Sequence, residues 1–163
     1  MKKIKELSKL LLKRNLSIIT VESCTGGLFA SQLNSLPGSS NFFEFGIVCY
    51  SNTSKEKILK IPKKQILKHG AVSEQISNMM NDNIKSIFDV NAKKHVIVSI
   101  TGIAGPSGGS VIKPIGTTYI TINYKKKINY HKVFDGDNRK IIQNNIVQFS
   151  IDKLFLEIKK LSR

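Results

Sequence analysis

The spacing of apolar residues changes several times along this chain, and each change marks an element. Ile4, Leu7, Leu10 and Leu11 recur at helical spacing, which predicts an amphipathic helix over residues 2–14, lysines in solvent, with Asn15 at its end. Residues 17–22 (Ser-Ile-Ile-Thr-Val-Glu) form a nearly continuous apolar run and read as a buried strand. A helix follows that starts between Thr25 and Leu28 and runs to Leu36, and Pro37-Gly38-Ser39-Ser40 is a turn. Phe42 to Tyr50 is apolar and aromatic, a second strand, and Ser51-Asn52-Thr53-Ser54 opens a helix with Lys55 one turn in. Pro62 interrupts, a short helical stretch reaches Lys68, and His69-Gly70 closes it. Ser73-Glu74 caps a helix with Ile76, Met79, Met80, Ile84, Ile87 and Phe88 on one face.

Residues 95–100 read as a third strand. Strands over 116–124 and 128–134, linked by Lys125-Lys126-Lys127, read as a hairpin. Ile142, Ile146, Val147, Phe149, Ile151, Leu154 and Ile158 mark a long closing helix. Helices and strands alternate first and a hairpin comes late, which implies an α/β sandwich on a mixed sheet. No repeat or linker divides the chain, so residues 1–163 are expected to form one domain.

Composition narrows the function classes. Hydrophobic residues make up 40%, too many for a disordered chain. The formal charge of +15 raises the question of a polyanionic partner. The excess is scattered lysine, however, and the three arginines Arg14, Arg139 and Arg163 form no cluster in the sequence, so nucleic-acid binding is not the favoured reading. The two cysteines suggest no disulfide framework. Leu10-Leu11-Leu12 is too short for a signal peptide and no run could span a bilayer, so a cytoplasmic protein without a membrane partner is expected.

Two stretches carry chemistry. Glu22-Ser23-Cys24-Thr25-Gly26-Gly27 lies between a strand and a helix. A sharp turn there projects one side chain, and the first helical N–H groups have no internal partner. Glycines let a ligand approach the backbone closely. Such a turn suits a nucleophile with an oxyanion site, although it would also read as a plain turn with Thr25 as a helix cap. Neighbours on an extended chain point opposite ways, so only one of Ser23 and Cys24 can face a site. Ser23 is favoured, because a lone cytosolic cysteine is usually a buried small hydrophobe. His69, His95 and His131 suggest no triad by position. Lys55 is the better base, provided burial or a cation lowers its pKa, and Tyr50 could relay the proton or orient it. The second stretch, residues 101–110, holds four glycines after a strand but lacks the Gly-Lys-Ser/Thr of a Walker loop. Metal-binding motifs are absent from the sequence.

Five blocks then match a known family. Glu22 to Gly27, Tyr50-Ser51-Asn52 with Lys55, Gly70-Ala71-Val72-Ser73, Thr101 to Pro106 and Lys113 to Thr117 resemble the C-terminal domain of the competence/damage-inducible CinA proteins. The resemblance runs from about residue 4 to 160. Its stand-alone members, called PncC, are nicotinamide-nucleotide amidases. The resemblance implies a three-layer α/β/α sandwich with a mixed, mostly parallel sheet. It also implies hydrolysis of nicotinamide mononucleotide (NMN) to nicotinate mononucleotide and ammonia, with neither metal nor cofactor.

The family's serine nucleophile falls on Ser23, and its tyrosine and lysine fall on Tyr50 and Lys55. Its Pro-Gly-Ser serine falls on Ser39 or Ser40 and its threonine on Thr101. Thr25, Gly26, Gly27, Gly102 and Gly105 are expected around the substrate, with Arg139 on its phosphate. The Gly-Asp-Arg segment matches Gly136-Asp137-Asn138-Arg139 with Asn138 inserted, and Gln143 stands where a second arginine often follows. The larger CinA proteins also carry an N-terminal domain, which is not expected here. The partner implied is a small nucleotide, and a homo-oligomer is expected. The alternatives are a catalytically weak nucleotide-binding or regulatory domain of the same fold, and a basic nucleic-acid-binding protein.

Overall fold

A computed structural model describes residues 2–91 and 93–160; Arg163 therefore lies outside the described residues. Helix α1 (Lys2–Lys13) ends where Asn15 takes a left-handed conformation, φ 52°, and Leu16 N–H returns to Leu11 O. Strand β1 (Ser17–Glu22) is buried nearly throughout because helices cover both faces of the sheet. It is followed by α2 (Leu28–Asn34), a short 3₁₀ turn (Ser39–Asn41) and β2 (Phe43–Val48). Helices α3 (Asn52–Lys57), α4 (Lys63–His69) and α5 (Glu74–Ile87) lead to β3 (His95–Gly102). The chain closes with β4 (Thr117–Tyr124), β5 (Lys126–Val133) and α6 (Arg139–Lys160).

The five strands lie in the order β2-β1-β3-β4-β5. β1 pairs in parallel with β2 and β3, and β4 is antiparallel to both β3 and β5. Only β4 therefore runs against the rest, and the sheet is mixed and mostly parallel. One apolar core joins α1, α2 and α6 to one face, through Leu7, Leu11, Phe29, Ile146 and Leu154 against Ile18, Val98 and Ile120. The other joins α4, α5 and the link before α4 to the opposite face, through Leu59, Ile66, Ile76, Met80 and Ile84 against Ile19, Val21 and Ile97. This is the three-layer α/β/α sandwich.

Some boundaries differ from the periodicity. Lys126 and Lys127 pair with Tyr124 and Asn123, so the hairpin turns on Lys125 alone, at φ 58°. Ile87 and Phe88 are half-exposed at the end of α5, where Phe88 meets the Phe45 ring at 4.8 Å rather than entering the core.

The topology fixes where a site can form. From β1 the chain crosses by α2 to β2 on one side, and later returns by α5 to β3 on the other. The strand order thus reverses at β1, and a crevice opens between the carboxyl ends of β1 and β3, the place where open α/β sheets hold ligands. Glu22, Val48 and Gly102 end their strands together at that edge.

Candidate active site

The turn after β1 is built by the residue that ends the strand. Glu22 is 1% exposed. Its carboxylate accepts N–H groups from Gly27 at 3.1 Å and Phe29 at 3.2 Å on Oε2, and from Ala30 at 2.8 Å on Oε1. It therefore caps α2 from the strand side and complements the helix dipole. Thr25 is not the cap: its Oγ1 is buried and meets no hydrogen-bond partner among the described residues. Gly26 and Gly27 take φ 61° and 91°, a region that suits glycine, which lets the chain fold back over so few residues.

Ser23 follows Glu22 directly and faces the crevice. Lys55 comes from α3, where Ser51 Oγ accepts the Ser54 N–H and starts the helix. Lys55 is 1% exposed, and its Nζ donates to Ser23 Oγ at 2.9 Å, Cys49 O at 2.7 Å and Tyr50 O at 3.2 Å. Burial holds its ammonium form below the usual lysine pKa, and proximity to the Cys49 and Cys24 sulfurs opposes that effect without cancelling it. The Cys24 thiol is buried, and that burial pushes its pKa up to about 12.

Of the two roles expected of Tyr50, relaying the proton or orienting the lysine, the contacts made to Lys55 fit the second. Tyr50 orients the lysine with its main-chain carbonyl, while its phenol is on the exposed side of the crevice. There Tyr50 Oη accepts from Arg139 Nη2 at 3.2 Å, and the guanidinium lies 5.7 Å from the ring centre. Arg139 Nη1 donates to Gly105 O at 2.8 Å, so this side chain spans the crevice from β2 to the glycine loop. One turn along α6, Gln143 Nε2 donates to Cys24 O at 2.7 Å and pins the nucleophile turn from above. Asn138 is no idle insertion: its Oδ1 accepts the Ile141 N–H and caps α6, which sets the direction of Arg139.

These groups surround a cavity of about 250 Å³ lined by Ser23, Cys24, Tyr50, Lys55, Ala71, Val72, Thr101, Gly102, Ile103, Ala104, Gly105, Ser107, Gly108 and Arg139. Thr101 Oγ1 donates to Ala71 O, tying β3 to the wall before α5. Lys113 Nζ holds the same wall through Val72 O at 2.6 Å. Gly102 is required by packing, since a Cβ there would meet Thr117 O and Thr118 Oγ1 at 2.7 Å and Cys24 Sγ at 3.1 Å.

Not every expected residue joins the cavity. Thr25, Gly26 and Gly27 shape the turn but do not line it. Ser39 and Ser40 precede β2 at the opposite edge of the sheet, where Ser39 Oγ meets Asn34 O at 3.3 Å. The apolar wall of Ala71, Val72, Ile103 and Ala104 carried no expected site role, although Gly70-Ala71-Val72-Ser73 was one of the matching blocks. Glu22 and Gln143 had no assigned role either. Among the described residues no group of three His, Cys, Asp or Glu is placed to hold a metal ion, and no helix is long and apolar enough to cross a membrane.

A family model described as the CinA C-terminal domain matches residues 1–158. The chain belongs to the CinA C-terminal domain family. A CinA-like protein of Prochlorococcus marinus strain NATL2A is 40% identical over 152 residues, which is 92% of this chain but 34% of that protein. The chain thus spans about a third of the length of the curated relatives it matches. Solved structures agree over nearly their whole length. A CinA superfamily protein from Klebsiella pneumoniae superposes with a TM-score of 0.89 at 25% identity, covering 98% of this chain and 97% of its own. A competence/damage inducible protein from Agrobacterium tumefaciens gives 0.84 at 29% identity, covering 96% of each. In this CinA domain the serine, the buried lysine and the arginine all come to one crevice.

Proposed function

We propose that this CinA domain is an amidohydrolase that converts NMN to nicotinate mononucleotide and ammonia, with Ser23 as nucleophile and Lys55 as its base. The observation that carries the reading is the 2.9 Å contact between a buried lysine amine and a serine hydroxyl at the end of β1. A lysine ammonium gains nothing by burial, whereas a neutral amine beside a hydroxyl can take its proton.

Ser23 Oγ adds to the carboxamide carbon while its proton passes to Lys55 Nζ. The carbonyl oxygen becomes an oxyanion. The Gly26 and Gly27 amides already donate to Ser23 O and Glu22. The Thr25 amide has no backbone acceptor among the described residues, and the Cys24 amide faces only its own sulfur, so these two are the donors proposed for that oxyanion. Each such donor is worth about 3–4 kcal/mol in the transition state. Collapse breaks the C–N bond, and Lys55 returns its proton to the departing ammonia. Water then adds to the ester, giving its proton to Lys55. The Ser23–carbonyl bond breaks, the proton returns to Oγ, and nicotinate mononucleotide leaves. The apolar wall of Ala71, Val72 and Ile103 suits a flat ring, and Arg139 suits the phosphate, to which a guanidinium can donate two hydrogen bonds.

The test is to quench turnover with acid and examine the protein by mass spectrometry. An adduct of NMN less ammonia on Ser23, with free ammonia in solution, is expected. Tight NMN binding with neither product would reject the hydrolase and favour a nucleotide-binding domain.

A further inference from the structure

We propose that Glu22 is a positioning residue for the nucleophile: its carboxylate, by holding the start of α2 against the end of β1, sets the place of Ser23 and keeps the Thr25 amide out of the bonds that hold the turn. The proposal rests on the amidohydrolase reading above, but the arrangement can be tested apart from NMN.

The geometry is specific. Both carboxylate oxygens are engaged, by the amides of Gly27, Phe29 and Ala30. These donors lie five, seven and eight residues ahead in the chain, so the bonds close a loop around Ser23, Cys24, Thr25 and Gly26. Gly26 N–H to Ser23 O at 3.1 Å braces that loop inside, and Gln143 on Cys24 O braces it outside. A turn so held cannot rotate Ser23 away from Lys55 without breaking a buried charge-assisted bond, which is a strong one. The arrangement also divides the amides of the turn. The first free N–H groups of a helix are its anion-attracting ones. Glu22 occupies those of Phe29 and Ala30, and Thr25 O takes that of Leu28, so a substrate phosphate or oxyanion is not drawn to them. In the turn itself the Thr25 amide is left without a backbone acceptor, next to the Cys24 amide that faces its own sulfur. A shorter or neutral side chain would not do this. Aspartate lacks the reach to serve all three donors, and glutamine would set its own N–H groups against one of them.

The readout is the rate at which phenylmethanesulfonyl fluoride labels Ser23, followed by mass spectrometry. Oγ displaces fluoride from sulfur, and the hydroxyl proton passes to Lys55. Wild-type protein, Glu22→Gln, Glu22→Asp and Leu33→Ala are compared, with far-UV circular dichroism and thermal unfolding on each. Leu33→Ala loosens α2 in the core without touching the carboxylate. Displacing a reacting group by about 1 Å costs on the order of 100-fold, so Glu22→Gln should label about 10–100-fold more slowly per folded molecule. Where NMN is hydrolysed, kcat should fall in parallel while KM stays within about twofold, because Arg139 is untouched. Leu33→Ala should lose stability but keep its labelling rate. Labelling of folded Glu22→Gln at the wild-type rate, or equal slowing in Leu33→Ala, would overturn the proposal. Should Glu22→Gln not fold, Glu22→Asp decides in the same way. Failure of the wild type to label at Ser23 would instead reject the hydrolase reading itself.

Discussion

Lys55 Nζ stands 2.9 Å from Ser23 Oγ although 32 residues separate them in the chain. The parallel register of β1 and β2 makes this contact. Glu22 pairs with Val48, so the residues after each strand leave the sheet side by side. Cys49 and Tyr50 then turn their carbonyls to the amine, and one turn of α3 brings Lys55 back over Ser23.

The proposed reaction uses Ser23, the residue that Lys55 touches, rather than its neighbour. Ser23→Ala should abolish turnover while leaving the fold and NMN binding in place. Cys24→Ala should keep most activity, because a thiol with its pKa pushed up to about 12 is not a thiolate near neutrality. Initial rates on the two purified variants check this, and the reverse pattern would transfer the role to sulfur.

Activity should rise with pH through the lowered pKa of Lys55, since only the neutral amine accepts a proton. Lys55→Met and Lys55→Arg should both fail, the second because guanidinium stays protonated. Stability carries the same signature. Between that lowered value and about 10.4, the unfolded chain binds more protons than the folded one, so this site adds stability as pH rises through the window. Chemical unfolding across pH should show this slope in the wild type and lose it in Lys55→Met.

Much of the fold was legible in the sequence, because β1 carries Ile18, Ile19 and Val21 in one short run and α5 carries Ile76, Met80 and Ile84 at helical spacing. Ser23 and Lys55 stood out by residue type and by family resemblance, and Arg139 by the resemblance alone. Their pairing depended on strand register, which composition does not reveal. Which part of Tyr50 meets Lys55 was hidden for a related reason: it is the main-chain carbonyl, and any residue carries one. Ser39 and Ser40 are near β2 in sequence but at its starting end, away from the carboxyl edge. The cap by Glu22 had a signal, a carboxylate just ahead of a glycine-rich helix start. It was obscured by Thr25, which occupies the customary capping position.

Arg139→Ala should raise KM for NMN more than it lowers kcat, because the guanidinium supplies binding common to substrate and transition state. Tyr50→Phe removes the oxygen that accepts from Arg139 and leaves the Lys55 contacts intact. It should raise KM by a smaller factor and leave the pH profile unmoved. Steady-state kinetics across pH checks both, and a shifted profile in Tyr50→Phe would restore the phenol to the proton path.

Gly102→Ala should destabilise the domain by about 1–3 kcal/mol, the usual cost of forcing a methyl into a packed site. The added carbon would press on Thr117 O and on the Cys24 sulfur beside the nucleophile. Denaturant unfolding measures the loss. An unchanged midpoint would mean that the end of β3 yields more readily than its contacts imply.

The central claim is amide hydrolysis at Ser23 by a lysine base, and ammonia release from NMN tests it most directly. The purified chain is assayed beside Ser23→Ala, with nicotinamide as the substrate lacking ribose and phosphate. The account predicts ammonia and nicotinate mononucleotide in equal amounts from the wild type, none from Ser23→Ala, and none from nicotinamide. Saturable NMN binding with no ammonia from the wild type, or equal release by Ser23→Ala, would contradict it.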